Sequence, residues 1–312
     1  IRPRDWSSDV CSSDLTKRVE REQTENSREP YMPSTFVLTL RMVKIEHSLF
    51  ALPFAYTGLF LAAGGWPGWG PLLVLTLAMV AVRSFAMAAN RILDLAVDRK
   101  NPRTQDRPLV TGALSRRYAL VFTGGCAVVF VAATALMNPL CLKLSVPALA
   151  WSGFYSLTKR FTWLCHFVLG SVLGLAPIAG WISLRPEFAW TWLLLALAVT
   201  LWVAGFDILY ASQDKDFDTA EGLSSIPVRF GLARALGLAR NIHLTAAALF
   251  LLAGVTGGLR WPYFLVAAAV GAVLWFEHRL ISPGDLSRIN LAFFTLNGFV
   301  AILLFAGVLL GL

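Results

Sequence analysis

The sequence predicts an all-α, polytopic membrane protein of about nine transmembrane helices, built as two parallel four-helix repeats plus one helix. Three observations lead there. Of 312 residues, 56% are hydrophobic and only 15% charged, with a mean hydropathy of +0.62. Apolar runs long enough to cross a bilayer succeed one another with short turns between them. The basic residues are sorted onto alternate turns. Helices are the expected element because an open sheet cannot satisfy its backbone in lipid.

The first fifteen residues, "IRPRDWSSDVCSSDL", share nothing with the remainder of the chain and read as a translated sequencing adapter. Residues 16–40 are polar and charged, a flexible cytoplasmic segment without a cleavable signal pattern. Residues 41–312 form the membrane domain, with spans expected at about 46–65, 71–97, 118–137, 140–157, 163–184, 189–211, 240–257, 262–279 and 290–311. The loops starting near 98, 158, 212 and 278 carry 14 Lys/Arg against three in the opposite set. By the positive-inside rule the N-terminus and those loops face the cytoplasm, as in a bacterial-type inner membrane. Trp66, Trp69, Trp181, Trp190, Trp192 and Trp261 fall near span ends, where an aromatic belt belongs.

The net charge of +8 does not indicate nucleic acid, because the cations follow membrane side rather than a soluble face. Cys126, Cys141 and Cys165 stand singly in apolar segments and read as small buried hydrophobes. His47, His166, His243 and His278 have no companion at helical spacing, which gives zinc or haem chemistry no support.

Two acidic stripes interrupt this apolar pattern. In "NRILDLAVD", Asn90, Asp94 and Asp98 recur every four residues, on one helical face at the cytoplasmic end of span two. In "DILYASQDKDFD", Asp207, Tyr210, Asp214 and Asp218 share a face at the end of span six. An offset of 120 places Asn90 on Tyr210, Asp94 on Asp214 and Asp98 on Asp218, and Pro108…Gly112 answers Pro227…Gly231 at 119. Both spans run the same way, so this weak repeat is parallel, about an axis along the membrane normal.

A carboxylate at the centre of a spanning helix costs about 2.5 to 3.5 kcal/mol, less toward the ends. Two facing acidic rows would repel, so a cation is expected between them. Asp98 and Asp218 alone would also be explained as marking where helices leave the bilayer. Carboxylate and carboxamide oxygens suit Mg²⁺, which takes one or two protein carboxylates plus phosphate oxygens. Lys44, Arg99, Lys100, Arg103, Arg107, Lys159, Arg160 and Lys215 lie at the same ends, suited to a diphosphate or to ordinary positive-inside placement.

These motifs resemble the UbiA-type intramembrane prenyltransferases. The likeness rests on "NRILDLAVD", "NPRTQDRPLVTG", "YSLTKRFT" and "DILYASQDKDFD" with "EGLSSIPVRFG" after it, and it covers roughly residues 40 to 312. It implies Mg²⁺-dependent transfer of a prenyl group from a polyprenyl diphosphate to an aromatic acid, with the bilayer as the other partner. By resemblance, Asn90 and Asp94 would hold one metal, and Asp214 and Asp218 the other, with Asp98 in the same cluster. Lys159, Arg107 and Lys44 would grip diphosphate, and Tyr155 and Tyr210 would line the reacting carbon. The acceptor is expected to be 4-hydroxybenzoate, or a dihydroxynaphthoate of the menaquinone route. Arg83, seven residues before Asn90 and roughly 10 Å deeper, would either anchor the acceptor carboxylate or pair with Asp207. A secondary transporter remains a remote alternative, disfavoured because the acids sit near one face on apparently continuous helices.

Overall fold

The computed structural model describes residues 33–45, 48–286, 288–289 and 296–312. The expectations for residues 1–15 and 16–32, His47 and the start of the ninth span lie outside them. The chain divides into units 1–38 and 39–312. Of the first, the described residues open helix α1 (Thr35–Val43). The second carries all the helices long enough to matter for a membrane.

Among the described residues all regular structure is helical. Seven helices are long and apolar enough to cross a membrane: α3 (Trp69–Leu93), α5 (Arg116–Ala135), α6 (Pro139–Thr158), α7 (Cys165–Ile182), α8 (Trp190–Ala211, continued by shorter pieces), α11 (Leu232–Thr256) and α12 (Trp261–Leu280). Two shorter apolar helices, α2 (Ser48–Ala63) and α13 (Asn297–Gly311), bring the apolar helices to nine, though not nine full-length spans. α11 begins eight residues before the expected span, because the polar stretch with Arg234 and Arg240 is itself helical. The remaining pieces are α4 (Leu95–Asp98), α9 (Lys215–Ala220) and α10 (Ile226–Phe230).

Sequence dictates where these helices begin. Ser115 caps α5 by accepting from the Tyr118 N–H, and Asn138 caps α6 the same way from Cys141, with Pro139 at the first position. Leu73, Val121, Val128, Val146 and Leu265 face outward, which suits lipid. Trp66, Trp69, Trp190 and Trp261 are exposed at helix ends, as a belt requires. Trp181 is not among them: its Nε1 is buried, turned into the core that α2, α3, α7, α8 and α11–α13 share around Trp202, Phe54 and Phe250.

α2, α3, α5 and α6 make up the first half and α7, α8, α11 and α12 the second; α13 packs on α12 and α2. The first helices of the two halves, α2 and α7, touch through glycine. A Cβ on Gly58 would lie 2.0 Å from the Pro177 carbonyl oxygen, and one on Gly180 would lie 1.9 Å from that of Ala55. Gly58 to Gly180 and Ala55 to Pro177 are both shifts of 122 residues, so the contact is reciprocal, as a two-fold relation between the halves produces. On α7, Gly170 and Gly174 bring the α8 backbone equally close. That clamp fixes the second acidic helix, α8, against α7, which in turn meets the first half through α2.

Candidate active site

Each acidic helix breaks at its central aspartate. α3 ends at Leu93, and Asp94 takes φ −92°, ψ 5° before α4 resumes. α8 ends at Ala211, passes through a 3₁₀ turn (Ser212–Asp214), and Asp214 takes φ −94°, ψ 3° before α9. Both lie in the sparsely populated bridge region. The expectation of continuous helices is therefore corrected. The spacing nevertheless survives, because Asp94 N–H still donates to Asn90 O and Asp98 N–H to Asp94 O, each at 2.8 Å. Gly112 and Gly231, matched in the repeat, share positive φ of 81° and 78°, where a side chain would be strained.

These turns aim both acidic rows into one cavity of about 220 Å³, which Asn90, Asp94, Asp98, Asp207, Asp214 and Asp218 line together. Every carboxylate of the two Asp-x-x-x-Asp pairs meets a cation. Arg103 grips Asp214 bidentately, Nε to Oδ1 at 3.0 Å and Nη2 to Oδ2 at 2.5 Å, and donates from Nη1 to the Tyr210 hydroxyl at 2.6 Å. Arg107 pairs with Asp98, and Arg160 Nη2 lies 3.3 Å from Asp94 Oδ1. Asn90 donates to Asp94 at 2.7 Å and has its own carbonyl oxygen held by Arg91. Burial, reinforced by Asp98, raises the Asp94 carboxyl above the usual carboxylate range, and Arg160 opposes the shift.

Asp218 differs. It is fully buried, and although Lys159 Nζ lies 2.8 Å from Oδ1, neither oxygen has a partner in hydrogen-bonding geometry among the described residues. A buried carboxylate in that condition is costly unless a cation completes it. Among the described residues no three His, Cys, Asp or Glu side chains converge as a self-sufficient metal site. Mg²⁺ does not require one when phosphate supplies the remaining oxygens. The oxygen-only donors Asn90, Asp94, Asp214 and Asp218 therefore fit that ion.

Tyr155, Tyr210, Arg107, Lys159 and Arg160 line this cavity, whereas Lys44 and Lys215 do not; Lys215 Nζ reaches only Asp216, at 3.8 Å. Arg83 lies deeper on α3, in a second cavity of about 80 Å³ with Ser152 of α6, and among the described residues its buried Nε has no partner. The alternative pairing of Arg83 with Asp207 is overturned. Asp207 instead accepts from His166 Nδ1 at 2.6 Å.

The Arg83 cavity shares Met79, Phe130, Ala148, Leu175 and Ala179 with an almost wholly apolar groove of about 480 Å³. On α3, α6 and α7 alike, successive turns lead from the acids to that groove. Arg103 and His166 are the residues that sequence reading passed over as ligands of the site. Arg103 was legible only as one of many loop cations, and His166 has partners 41 and 60 residues away.

Comparisons with known proteins give the family and the fold. Residues 51–310 match the UbiA prenyltransferase family. The 4-hydroxybenzoate octaprenyltransferase of Chromohalobacter salexigens is 34% identical over 257 residues, 81% of this chain and 85% of the relative. That of Alcanivorax borkumensis is 32% identical over 225 residues, 71% and 76% of the two chains. The apo structure of a UbiA homolog from Aeropyrum pernix K1 superposes with a TM-score of 0.77 at 36% identity, covering 84% of this chain and 97% of that one. A UbiA homolog from Archaeoglobus fulgidus, bound to GPP and Mg²⁺, shares the fold with a TM-score of 0.67 at 22% identity, covering 88% of this chain and all of that one.

Proposed function

The chain belongs to the UbiA prenyltransferase family, and from that premise we propose that it transfers a polyprenyl group from a polyprenyl diphosphate to 4-hydroxybenzoate in quinone biosynthesis, using magnesium at the cytoplasmic face of a bacterial-type inner membrane. The observation that carries this reading is the single cavity into which both halves send carboxylates, with Asp218 buried beside Lys159 and its oxygens outside hydrogen-bonding geometry.

Asn90 and Asp94 would hold one Mg²⁺ and Asp214 and Asp218 the other, with Asp98 supporting the first pair. The metal supplies positive charge to the departing diphosphate. Lys159, Arg160, Arg107 and Arg103 surround the same oxygens and would stabilise the charge that develops as the C–O bond breaks. The hydroxyl of Tyr210, already held by Arg103, and the ring of Tyr155 would flank the allylic carbon and exclude water from the cation formed there. Lys44 and Lys215 stand outside the cavity, which limits any part they take to the approach of diphosphate.

Arg83 would hold the acceptor carboxylate. It sits beyond Tyr155, and among the described residues its buried Nε lacks a partner in a pocket that is apolar apart from Ser152. The apolar groove offers room for part of an isoprenoid tail that already partitions into lipid. Relatives named for 4-hydroxybenzoate favour that acceptor over a dihydroxynaphthoate.

The test is purified protein with Mg²⁺ and octaprenyl diphosphate, offered 4-hydroxybenzoate and 1,4-dihydroxy-6-naphthoate in competition. Prenylated 4-hydroxybenzoate should dominate and vanish with a chelator. A dominant naphthoate product would overturn the acceptor assignment, and no product from either would overturn the reaction.

A further inference from the structure

His166 and Asp207 form a dyad whose parts come from three segments. Asp207 projects from α8, His166 from the first turn of α7, and the backbone N–H of Ile226, opening α10, donates to His166 Nε2 at 3.2 Å. That third contact decides the chemistry of the ring. A nitrogen that accepts a backbone N–H carries a lone pair, so the proton resides on Nδ1 and is donated to Asp207 Oδ2. The imidazole therefore orients Asp207 through Nδ1–H. It is also almost fully buried, at 1% exposure, so solvent does not compete for it.

Among the described carboxylates lining the reaction cavity, Asp94, Asp98, Asp214 and Asp218 each lie against an Arg or Lys. Such pairing suits a metal ligand, whose charge a bound cation shares. Asp207 is the exception: an imidazole N–H orients it, and among the described residues no Arg or Lys pairs with it. Among the described residues its Oδ1 has no partner, and the side chain, which lines the cavity, is 23% exposed. Asp207 precedes Asp214 by seven residues, roughly 10 Å deeper along α8. That is the level at which an aromatic ring would lie beyond a diphosphate held by the acids.

Electrophilic alkylation of a ring needs a base at that level. We propose that Asp207 is the catalytic base that removes the ring proton after prenyl transfer, and that His166 is the positioning residue that holds it for this task. The inference rests on the proposed prenyl transfer. The allylic C–O bond breaks and its electron pair leaves with diphosphate. The ring carbon ortho to the hydroxyl then bonds to the allylic carbon, leaving a cationic ring with one hydrogen too many. Asp207 Oδ1 takes that hydrogen as a proton, and the C–H electron pair restores aromaticity. The neutral acid later yields its proton to water or to departing diphosphate.

The experiment compares Asp207→Asn, His166→Asn and His166→Gln in the full-length protein, using Mg²⁺, octaprenyl diphosphate and 4-hydroxybenzoate either protiated or deuterated at both ring positions ortho to the hydroxyl. Binding of the diphosphate with Mg²⁺, measured by calorimetry, should be unchanged in all three and reports an intact fold. In the wild type, proton removal comes after a slower ionisation, so the isotope effect should be close to unity. Asp207→Asn should lower kcat by about 10²- to 10⁴-fold, the usual worth of a general base, and expose a primary isotope effect. The Asn amide nitrogen overlays His Nδ1, whereas that of Gln overlays Nε2. His166→Asn should therefore keep most of the activity, and His166→Gln should lose it, with an isotope effect and an unchanged acceptor KM. The proposal fails if Asp207→Asn retains wild-type kcat, if its kcat falls without an isotope effect, or if Asn and Gln at 166 behave alike. A wild-type protein that prenylates no aromatic acceptor would instead sink the prenyl-transfer reading itself.

Discussion

Residues 90–107 and 207–227 are two versions of one motif, and their resemblance is closer in the backbone than in the side chains. Asp94 and Asp214 break their helices with dihedrals matching within a few degrees, and Gly112 and Gly231 turn the chain beyond them with the same positive φ. Charge compensation is where they part. The first segment supplies a cation for itself, Arg107 for Asp98, while Asp94 is more open, at 26% side-chain exposure. The second segment has its two acids compensated from outside: Arg103 of the first segment holds Asp214, and Lys159 from the end of α6 approaches Asp218. Duplication of a backbone therefore left two sites of unequal independence. The second is assembled only when the first half is in place.

The sharpest way to break this comparison is at the matched acids. Asp218→Asn preserves shape and removes charge where burial is complete, and kcat should drop about 10²- to 10³-fold, the scale for losing one preorganised electrostatic contact. Asp94→Asn should cost less, because its more exposed site admits water as a replacement ligand. Equal losses in a prenyl-transfer assay would show that the difference in burial has no functional weight.

A smaller effect is expected at the borrowed cation. Arg103→Met removes both the grip on Asp214 and the bond to Tyr210, and kcat/KM should fall about 10- to 100-fold, as for a lost charged hydrogen bond. Arg107→Met, which disturbs only its own segment, should cost less and leave Asp214 in place. The reverse order would contradict the dependence of the second site on the first.

Arg83→Met bears on whether the two halves divide the substrates between them. Acceptor KM should rise about tenfold or more, with diphosphate affinity unchanged. An unchanged acceptor KM removes the carboxylate-anchor role. The smallest effect belongs to Lys100→Ala. Lys100 also joins the two segments, through Glu221 at 2.6 Å, but it is 61% exposed. Such surface pairs contribute about 0 to 1 kcal/mol, so thermal stability and activity should barely move. A large loss would place the coupling at the surface rather than in the cavity.

Much of the fold was legible because lipid leaves few choices. The apolar runs predicted their helices to within a few residues except at α11, whose polar first turns carry no hydropathy signal. The spacing of Asn90, Asp94 and Asp98 and of Asp214 and Asp218 identified the shared cavity, because i, i+4 periodicity survives the helix breaks. The breaks themselves were not legible, since nothing in the residue pattern near Asp94 or Asp214 forbids a continuous helix. Arg83 was visible as an anomaly of composition, but its suggested partner was wrong. An electrostatic match along the sequence does not say which helices are neighbours.

The sequence by itself determined that this chain is helical, membrane-spanning and armed with two acidic rows, for each of these comes from local composition and from the cost of unpaired polar groups in lipid. Only the tertiary structure decided which charge meets which. Arg103 finds Asp214 across 111 residues, and His166 finds Asp207 across 41 and Ile226 across 60. The His166–Asp207 pair forms where Gly170 and Gly174 bring α7 and α8 close, and periodicity within one helix carries no record of its neighbours.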